Sequence, residues 1–360
     1  KNSLGNSEPT EMLGIVPSSN DISVLIVNGF DRVSGTNNTF DYIRQHGSAF
    51  NNHGQAFDAA SNEAVVNQQI DILDYQFVDW ILGEEGTSTS VFSYSEQDLI
   101  TTYLESGRFL FISGSEIGYD LEDQGTITDK DFYQNYLKAN YISDAAGGHE
   151  GVYSGYGYSG SIFEGINIIN YDDGSHGTYN VDWPDGIKPL GGASFCAAFS
   201  GIDQNSSGGM GIQYIGSFGL SNLTGGIVHL SVGFETIYPE NKRNELMSKI
   251  MTFYESQLTI EESHNMSPTS INIKNIYPNP SNNSITVSFS VLYTSEPVDL
   301  SIRNILGQEI YRTSIKPKSM QTKWTWDGIR NSGSVAPSGN YFLSISQSND
   351  ISTRKITLLK

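Results

Sequence analysis

Apolar positions divide the chain into two regimes. Up to about residue 258, short continuous apolar runs alternate with stretches in which apolar residues recur every three or four positions, the pattern of strands and helices in succession. Ile22 to Asn28, rich in β-branched residues, predicts a buried parallel strand leading into Gly29-Phe30-Asp31-Arg32. Val33 to Gln55 reads as a long loop carrying His46 and His53, a length that suits a functional or mobile segment. Asp58 to Ile70 reads as a helix capped by Ser61 or Asn62, Tyr75 to Leu82 as a strand ending at Gly83-Glu84-Glu85, and Ser95 to Glu105 as a helix capped by Ser95.

The central stretch is Arg108 to Leu121. Phe109 to Ile112 runs straight into Ser113-Gly114-Ser115-Glu116-Ile117-Gly118, the outline of a strand-turn-helix elbow that holds its middle side chain at the carboxyl edge of a sheet. That side chain is Glu116, and a carboxylate there serves as base, nucleophile, cation ligand or plain turn residue. Asp131 to Ala139 follows as a helix. Ala193 to Ser200, Gly211 to Ser217 and Gly226 to Phe234 read as further strands, the last of the domain, before an amphipathic helix from Lys242 to Gln257. Strand and helix in alternation predict an α/β domain with a doubly wound, mostly parallel sheet over residues 21–258. Residues 1–20 and 259–272 read as a tail and a linker. Beyond them the period drops to two: six short strands between Ser284 and Leu359, separated by turn residues, predict a small all-β sandwich over residues 273–360.

Charge and cysteine content narrow the partners. With 20 Lys plus Arg against 40 Asp plus Glu, the net charge is −20, which opposes nucleic acid, anionic lipid and polyanionic polymers. Neutral, cationic or metal-bridged partners are expected. The single cysteine, Cys196, excludes an intrachain disulfide; inside a predicted strand it reads as a buried, inert thiol. His229, also within a strand, reads as a satisfied core residue. No apolar run reaches the length of a membrane span, and the first residues carry neither a signal peptide nor an initiating methionine, so the chain reads as a fragment or processed product.

Motifs in the last 90 or so residues resemble the type A sorting domain of the Bacteroidetes type IX secretion system, an immunoglobulin-like module: Tyr277-Pro278-Asn279-Pro280, Ile305-Leu306-Gly307-Gln308, Trp326-Asp327-Gly328, Pro337 to Tyr341 and Lys355 to Lys360. The resemblance implies export across the outer membrane to the surface or medium, with residues 273–360 engaging the secretion machinery, and it leaves Asn283 and Trp326 building the module. Val27 to Val33, Val78 to Glu85, Ser113 to Leu121 and Gly233 to Ile237 resemble exported proteins called xanthan-lyase-like. At fold level these are similar to the class I glutamine-amidotransferase-like group, with a flavodoxin-like sheet. That group's triad is an elbow cysteine with a histidine and a glutamate. Here Glu116 replaces the cysteine, Gly233 stands at the histidine position and only the acid remains, as Glu235, so thiol chemistry does not carry over.

In a doubly wound sheet the loops at the strands' carboxyl ends converge on one crevice. Asp31, Glu84, Glu116 and Glu235 are therefore expected to share a site with Arg32 and with Asp120 just past the elbow. Grouped carboxylates divide acid and base roles in glycoside hydrolysis, hold Ca²⁺, or simply bond turn amides. Tyr156 and Tyr158, in the glycine- and tyrosine-rich stretch Gly147 to Gly165, offer an aromatic platform for a sugar, against an irregular excursion as the plainer reading. Asp172 and Asp173 offer calcium ligands in a predicted hairpin turn, again against a plain turn. A polysaccharide lyase is disfavoured, because neutralising a uronate calls for cations that this acidic chain lacks. Two classes remain: a non-catalytic surface module, adhesive, structural or binding a neutral glycan or a cell-surface protein, and a carboxylate hydrolase of surface polysaccharide or peptidoglycan using Glu116 with Asp31 or Glu235.

Overall fold

The first strand, β1 (Val24–Asn28), is buried along its whole length, as an uninterrupted apolar run demands of a strand covered on both faces. A computed structural model describes it together with residues 12–16, 23–33, 35–86, 90–264, 271–282, 284–318, 321–348 and 350–359. Most of the expected amino-terminal tail, part of the expected linker, Asn283 and Lys360 lie outside the described residues. Two units result, Lys1–Gln257 and Leu258–Lys360.

In the first unit β1 is followed by α1 (Ile43–His53), β2 (Asp58–Ser61), α2 (Asn62–Val66), β3 (Phe77–Gly83), α3 (Tyr94–Glu105), β4 (Phe109–Gly114) and α4 (Ile127–Asn135). Then come β5 (Ala139–Ser143), β6 (Ser154–Gly157), β7 (Ile169–Tyr171), β8 (Gly186–Pro189), β9 (Ser194–Phe199), the short α5 (Gln204–Ser207), β10 (Gly211–Gly216), β11 (Gly225–Leu230), β12 (Ile237–Tyr238) and α6 (Glu240–His264). One large sheet has the order β12-β7-β6-β9-β10-β11-β4-β3-β1-β2. Strands β2, β1, β3, β4 and β11 are parallel; from β11 outward to β12 every pairing is antiparallel. The sheet is thus mixed, not mostly parallel. The glycine-rich stretch after the elbow supplies β6, and the hairpin expected around residue 174 supplies β7, where the chain runs as antiparallel ribbon without crossover helices. β5 and β8 pair separately.

Alternation along the strands sorts side chains between two helical layers. Leu25, Val27, Val78, Trp80, Leu82, Leu110 and Ile112 pack with Ile100, Tyr103 and Leu104 of α3 and Phe132 and Tyr133 of α4. On the opposite face, Phe77 meets Phe50 of α1 and Tyr254 of α6 edge-on, at 5.7 and 4.8 Å between ring centroids. The long loop expected from Val33 to Gln55 contains α1. Its inward side is Ile43, His46, Gly47, Ala49 and Phe50, a face disguised by a histidine and a glycine. Gly47 is required there, since a Cβ would lie 2.4 Å from the Phe57 ring.

Other boundaries moved for local reasons. Asp58 to Ser61, expected as helix, pairs with β1 as β2, and Ser61 caps only the short α2. Ser93, not Ser95, caps α3, through a capping box with Glu96. The helix expected at Asp131 to Ala139 begins earlier, at Ile127, where Thr126 and Asp129 form a second capping box. β11 stops at Leu230, and a 3₁₀ turn over Phe234–Thr236 leads into β12, so β11 is not the last strand. α6 continues to His264, beyond the expected Gln257.

From residue 271 onward, the described residues of the second unit form two antiparallel sheets. The strands are β13 (Asn272–Tyr277), β14 (Ile285–Ser290), β15 (Val298–Asn304), β16 (Glu309–Ile315), β17 (Gln321–Trp326), β18 (Gly339–Gln347) and β19 (Asp350–Leu358), ordered β13-β14-β17 and β16-β15-β18-β19. Ile285, Val287, Leu300, Ile302, Leu343, Ile345, Ile356 and Trp326 form its core. The Trp326 indole N–H donates to the Ile329 carbonyl at 2.8 Å, and the Tyr341 hydroxyl to that of Pro337 at 2.6 Å.

Candidate functional site

Along the parallel half, β1 lies between β2 and β3, so the chain's path across the sheet reverses between β1 and β3. Exit loops at such a reversal part and leave a crevice. A cleft of about 680 Å³ opens there, lined among others by Gly29, Asp31, Arg32, Asn62, Glu85 and Glu96. Its walls are tied by the acids themselves. Glu85 Oε2 accepts the backbone N–H groups of Asp31 (2.9 Å) and Arg32 (2.8 Å), which fixes the turn leaving β1. The Asn62 amide donates to both Glu96 (3.0 Å) and Asp31 Oδ2 (3.2 Å). Asp31 Oδ1 is buried and has no hydrogen-bond partner among the described residues. Burial, opposed by the Asn62 bond and reinforced by Glu63 and Glu96, raises the Asp31 pKa.

Arg32 also lines this cleft. Its guanidinium donates to the carbonyls of Glu84 (2.9 Å) and Gly86 (3.0 Å) and so holds the turn after β3. That turn packs on the elbow: a Cβ on Gly86 would lie 2.9 Å from the Glu116 Cβ. Glu116 itself adopts φ 60°, the left-handed conformation of a sharp turn. Gly118 follows because a side chain there would strike the Tyr133 hydroxyl at 2.5 Å.

Glu116 and Glu84 form the second group. Burial raises Glu116 to about 7; Arg32 opposes this, and Asp144, Glu84 and Asp182 add to it. Glu84, which accepts the Thr36 hydroxyl at 2.5 Å, is raised to about 7, again chiefly by burial and also by Asp182. Asp31 and Glu116 thus belong to neighbouring surfaces, with Arg32 and the Glu84–Gly86 turn between them. Sequence reasoning had no signal for Asp144 and Asp182, which arrive from the irregular segment after the elbow.

Glu235 leaves the rim altogether. It is fully buried and accepts from the Tyr179 hydroxyl at 2.5 Å, while His46 Nε2 lies 3.2 Å from its other oxygen. His46 Nδ1 lies 2.7 Å from Asp79 Oδ2, at the middle of β3. Burial disfavours the imidazolium, but the two carboxylates outweigh it and lift His46 to about 9. His46 thus bridges two buried carboxyl groups in the core, and burial raises the Asp79 pKa against the opposing pull of His46. The signal for it was Asp79, a lone charge in an otherwise apolar strand.

Past the elbow, the backbone N–H groups of Gly118 and Tyr119 both donate to Asp185 Oδ2, at 2.6 and 3.3 Å. Cys196 is buried, and burial raises its thiol pKa far above the ordinary range. His229 lies in the core, edge-on to Tyr133; burial lowers its pKa to about 4, opposed by a hydrogen bond to the Leu137 backbone.

The remaining candidates are scattered. Asp120 accepts the Val91 N–H at 2.9 Å and lines a separate cleft of about 420 Å³. Tyr156 lies on β6 in the antiparallel half, and Tyr158 just beyond it packs on Phe195 at 5.4 Å. Asp172 takes the N–H groups of His176 and Thr178 and the Thr178 hydroxyl, all at 2.8 Å; Asp173 takes the Ser175 N–H and hydroxyl. The calcium candidates therefore tie a turn.

A family model described as the secretion system C-terminal sorting domain matches residues 275–359. The protein is exported. Its carboxyl-terminal unit carries it through the type IX system, and hence into contact with that machinery, across the outer membrane to the cell surface or extracellular space. No helix among the described residues is long and apolar enough to cross a membrane. No curated protein matches the chain. Among solved structures, PorZ, a surface component of the type-IX secretion system of Porphyromonas gingivalis, is 18% identical over 27% of this chain and 13% of its own, with a TM-score of 0.21. Dimeric latent PorU of the same organism is 10% identical over 46% of this chain and 13% of its own, at 0.23. A ThuA-like protein from Bacteroides uniformis is 10% identical over 64% of this chain and 89% of its own, at 0.38. The chain spans only 13% of the first of these.

Proposed function

We propose that the Lys1–Gln257 unit is a non-catalytic binding module of an exported surface protein, and that it holds a neutral polyhydroxylated ligand, a surface glycan, in the β1/β3 cleft. The observation that carries this reading is the cleft of about 680 Å³ lined by the polar side chains of Asp31, Asn62, Glu63 and Glu96. Carboxylate and amide oxygens accept hydrogen bonds, and sugar hydroxyls supply the donors. The surrounding Glu63, Glu85 and Glu96 turn away anions. The buried Cys196 thiol argues against thiol-dependent acyl transfer. The parallel order β2-β1-β3-β4-β11 supports kinship with flavodoxin-like, amidotransferase-like domains, and the paired antiparallel sheets support an immunoglobulin-like reading of the sorting unit.

An array of neutral and acidic oligosaccharides tests the proposal. The expected result is retention of neutral glycans, lost in Asp31→Ala and kept in Glu116→Gln; retention unaffected by Asp31→Ala contradicts it. One observation favours a second reading, a carboxylate hydrolase: Glu84 and Glu116 both sit at about 7, where a carboxyl group exchanges protons at neutral pH.

A further inference from the structure

Beyond both the cleft and the elbow, the loop after β5 and the segment before β8 bring three metal-ligating side chains together. His149, Glu150 and Asp182 each offer a donor atom, and the three donors lie within 4.8 Å of one another. We propose that His149, Glu150 and Asp182 form a binding site for a divalent transition ion of the Zn²⁺ class.

Three features of the geometry support it. The first is ligand chemistry: one imidazole with two carboxylates suits Zn²⁺ and its first-row neighbours, whereas Ca²⁺ and Mg²⁺ prefer oxygen alone. The second is spacing. Metal-ligand bonds of about 2.0–2.2 Å put neighbouring donors roughly 3–3.5 Å apart. His149 Nε2 and Asp182 Oδ2 are already 3.1 Å apart, and Glu150, an exposed side chain, closes the remaining gap by rotation.

The third is orientation, which metal sites obtain from partners behind the ligands. The His149 ring stacks on Trp183, with centroids 4.6 Å apart. Glu150 is steered by the Asn180 amide at 3.3 Å, and the Asn180 carbonyl in turn accepts the Tyr153 hydroxyl at 2.7 Å. The backbone N–H of Glu150 donates to the Asp182 carbonyl at 3.2 Å, which locks the two ligand segments together. No cation of the chain competes: among the described residues His149 alone forms an ion pair with Asp182, and no Lys or Arg does. On binding, the ion replaces the hydrogen bond between His149 and Asp182, and any proton on the imidazole is released to solvent. Two carboxylates and a neutral imidazole leave open positions for water. Asp182 also acts electrostatically on Glu84 and Glu116, so the ion's charge would be felt at the elbow.

Calorimetric titration of the full chain with ZnCl₂ and, separately, CaCl₂ tests the site. The expected result is one Zn²⁺ per chain, bound at least ten-fold more tightly than Ca²⁺, and at least ten-fold more weakly in His149→Ala and in Asp182→Asn. His53→Ala, which removes the other surface histidine-carboxylate pair, with Glu255, is expected to leave the titration unchanged. Co²⁺ is expected to quench Trp183 fluorescence in the wild type but not in His149→Ala. Should either principal variant melt below the wild type without metal, Glu150→Gln, altered only at an exposed side chain, takes its place. Absence of stoichiometric Zn²⁺ binding, preference for Ca²⁺, or wild-type affinity in His149→Ala overturns the proposal.

Discussion

Glu116 is a carboxylate in a place that favours its protonated form. With a pKa raised from 4.5 to about 7, the folded chain binds more protons than the unfolded chain between those values, so this group makes stability fall as pH rises from 4.5 to 7. Glu116→Gln removes the ionisation. It is expected to stabilise the fold by about 1–3 kcal/mol above pH 7 and by little below pH 4.5, as read by urea unfolding at the two extremes. His46 works the other way in charge but not in direction. Its pKa is raised from 6.5 to about 9, so its contribution is complete below pH 6.5 and is lost as pH climbs through 9. Removing it leaves Asp79 and Glu235 buried without the partner they share. His46→Ala is therefore expected to cost about 3–5 kcal/mol in the same assay, and to abolish the decline between pH 6.5 and 9. The sequence exposed Glu116 through its glycine-flanked turn. It concealed the His46 network, because the histidine lies in a segment that reads as loop and its partners are 33 and 189 positions away.

At the scale of elements, the strands of the parallel half were legible because continuous apolar runs have few alternatives. The elbow was legible because Gly118 has no substitute: Gly118→Ala forces a methyl group against the Tyr133 hydroxyl and is expected to cost about 1–3 kcal/mol, measured as a shift in the urea midpoint. α1 was not legible, since its buried face includes His46 and Gly47. Nor was β2, whose Asp-Ala-Ala-Ser sequence has no strand propensity and pairs only because β1 offers an edge. In the antiparallel half, β9 and β10 were legible as strands and Ile169–Tyr171 as one arm of the expected hairpin, whereas Ser154–Gly157 is too short to show a period and is defined by its sheet neighbours. The cleft, formed where β1 and β3 part, became visible only with the strand order in hand.

Over the whole molecule, the division follows the sequence's two regimes: an α/β unit with the proposed binding cleft and a β unit carrying the address. In the exporting bacterium, a chain ending at residue 270 is expected to stay behind the outer membrane, whereas the full chain reaches the surface or the medium; fractionation with antibody detection distinguishes the two. The charge of −20 keeps an exported protein apart from anionic surfaces, which agrees with a neutral ligand and leaves Glu116 without a polyanionic substrate. The most direct measurement is release of reducing ends from the neutral oligosaccharides that the full chain retains, followed beside Glu116→Gln. Binding without release in either protein is the predicted result; release by the wild type that disappears in Glu116→Gln would contradict a non-catalytic module.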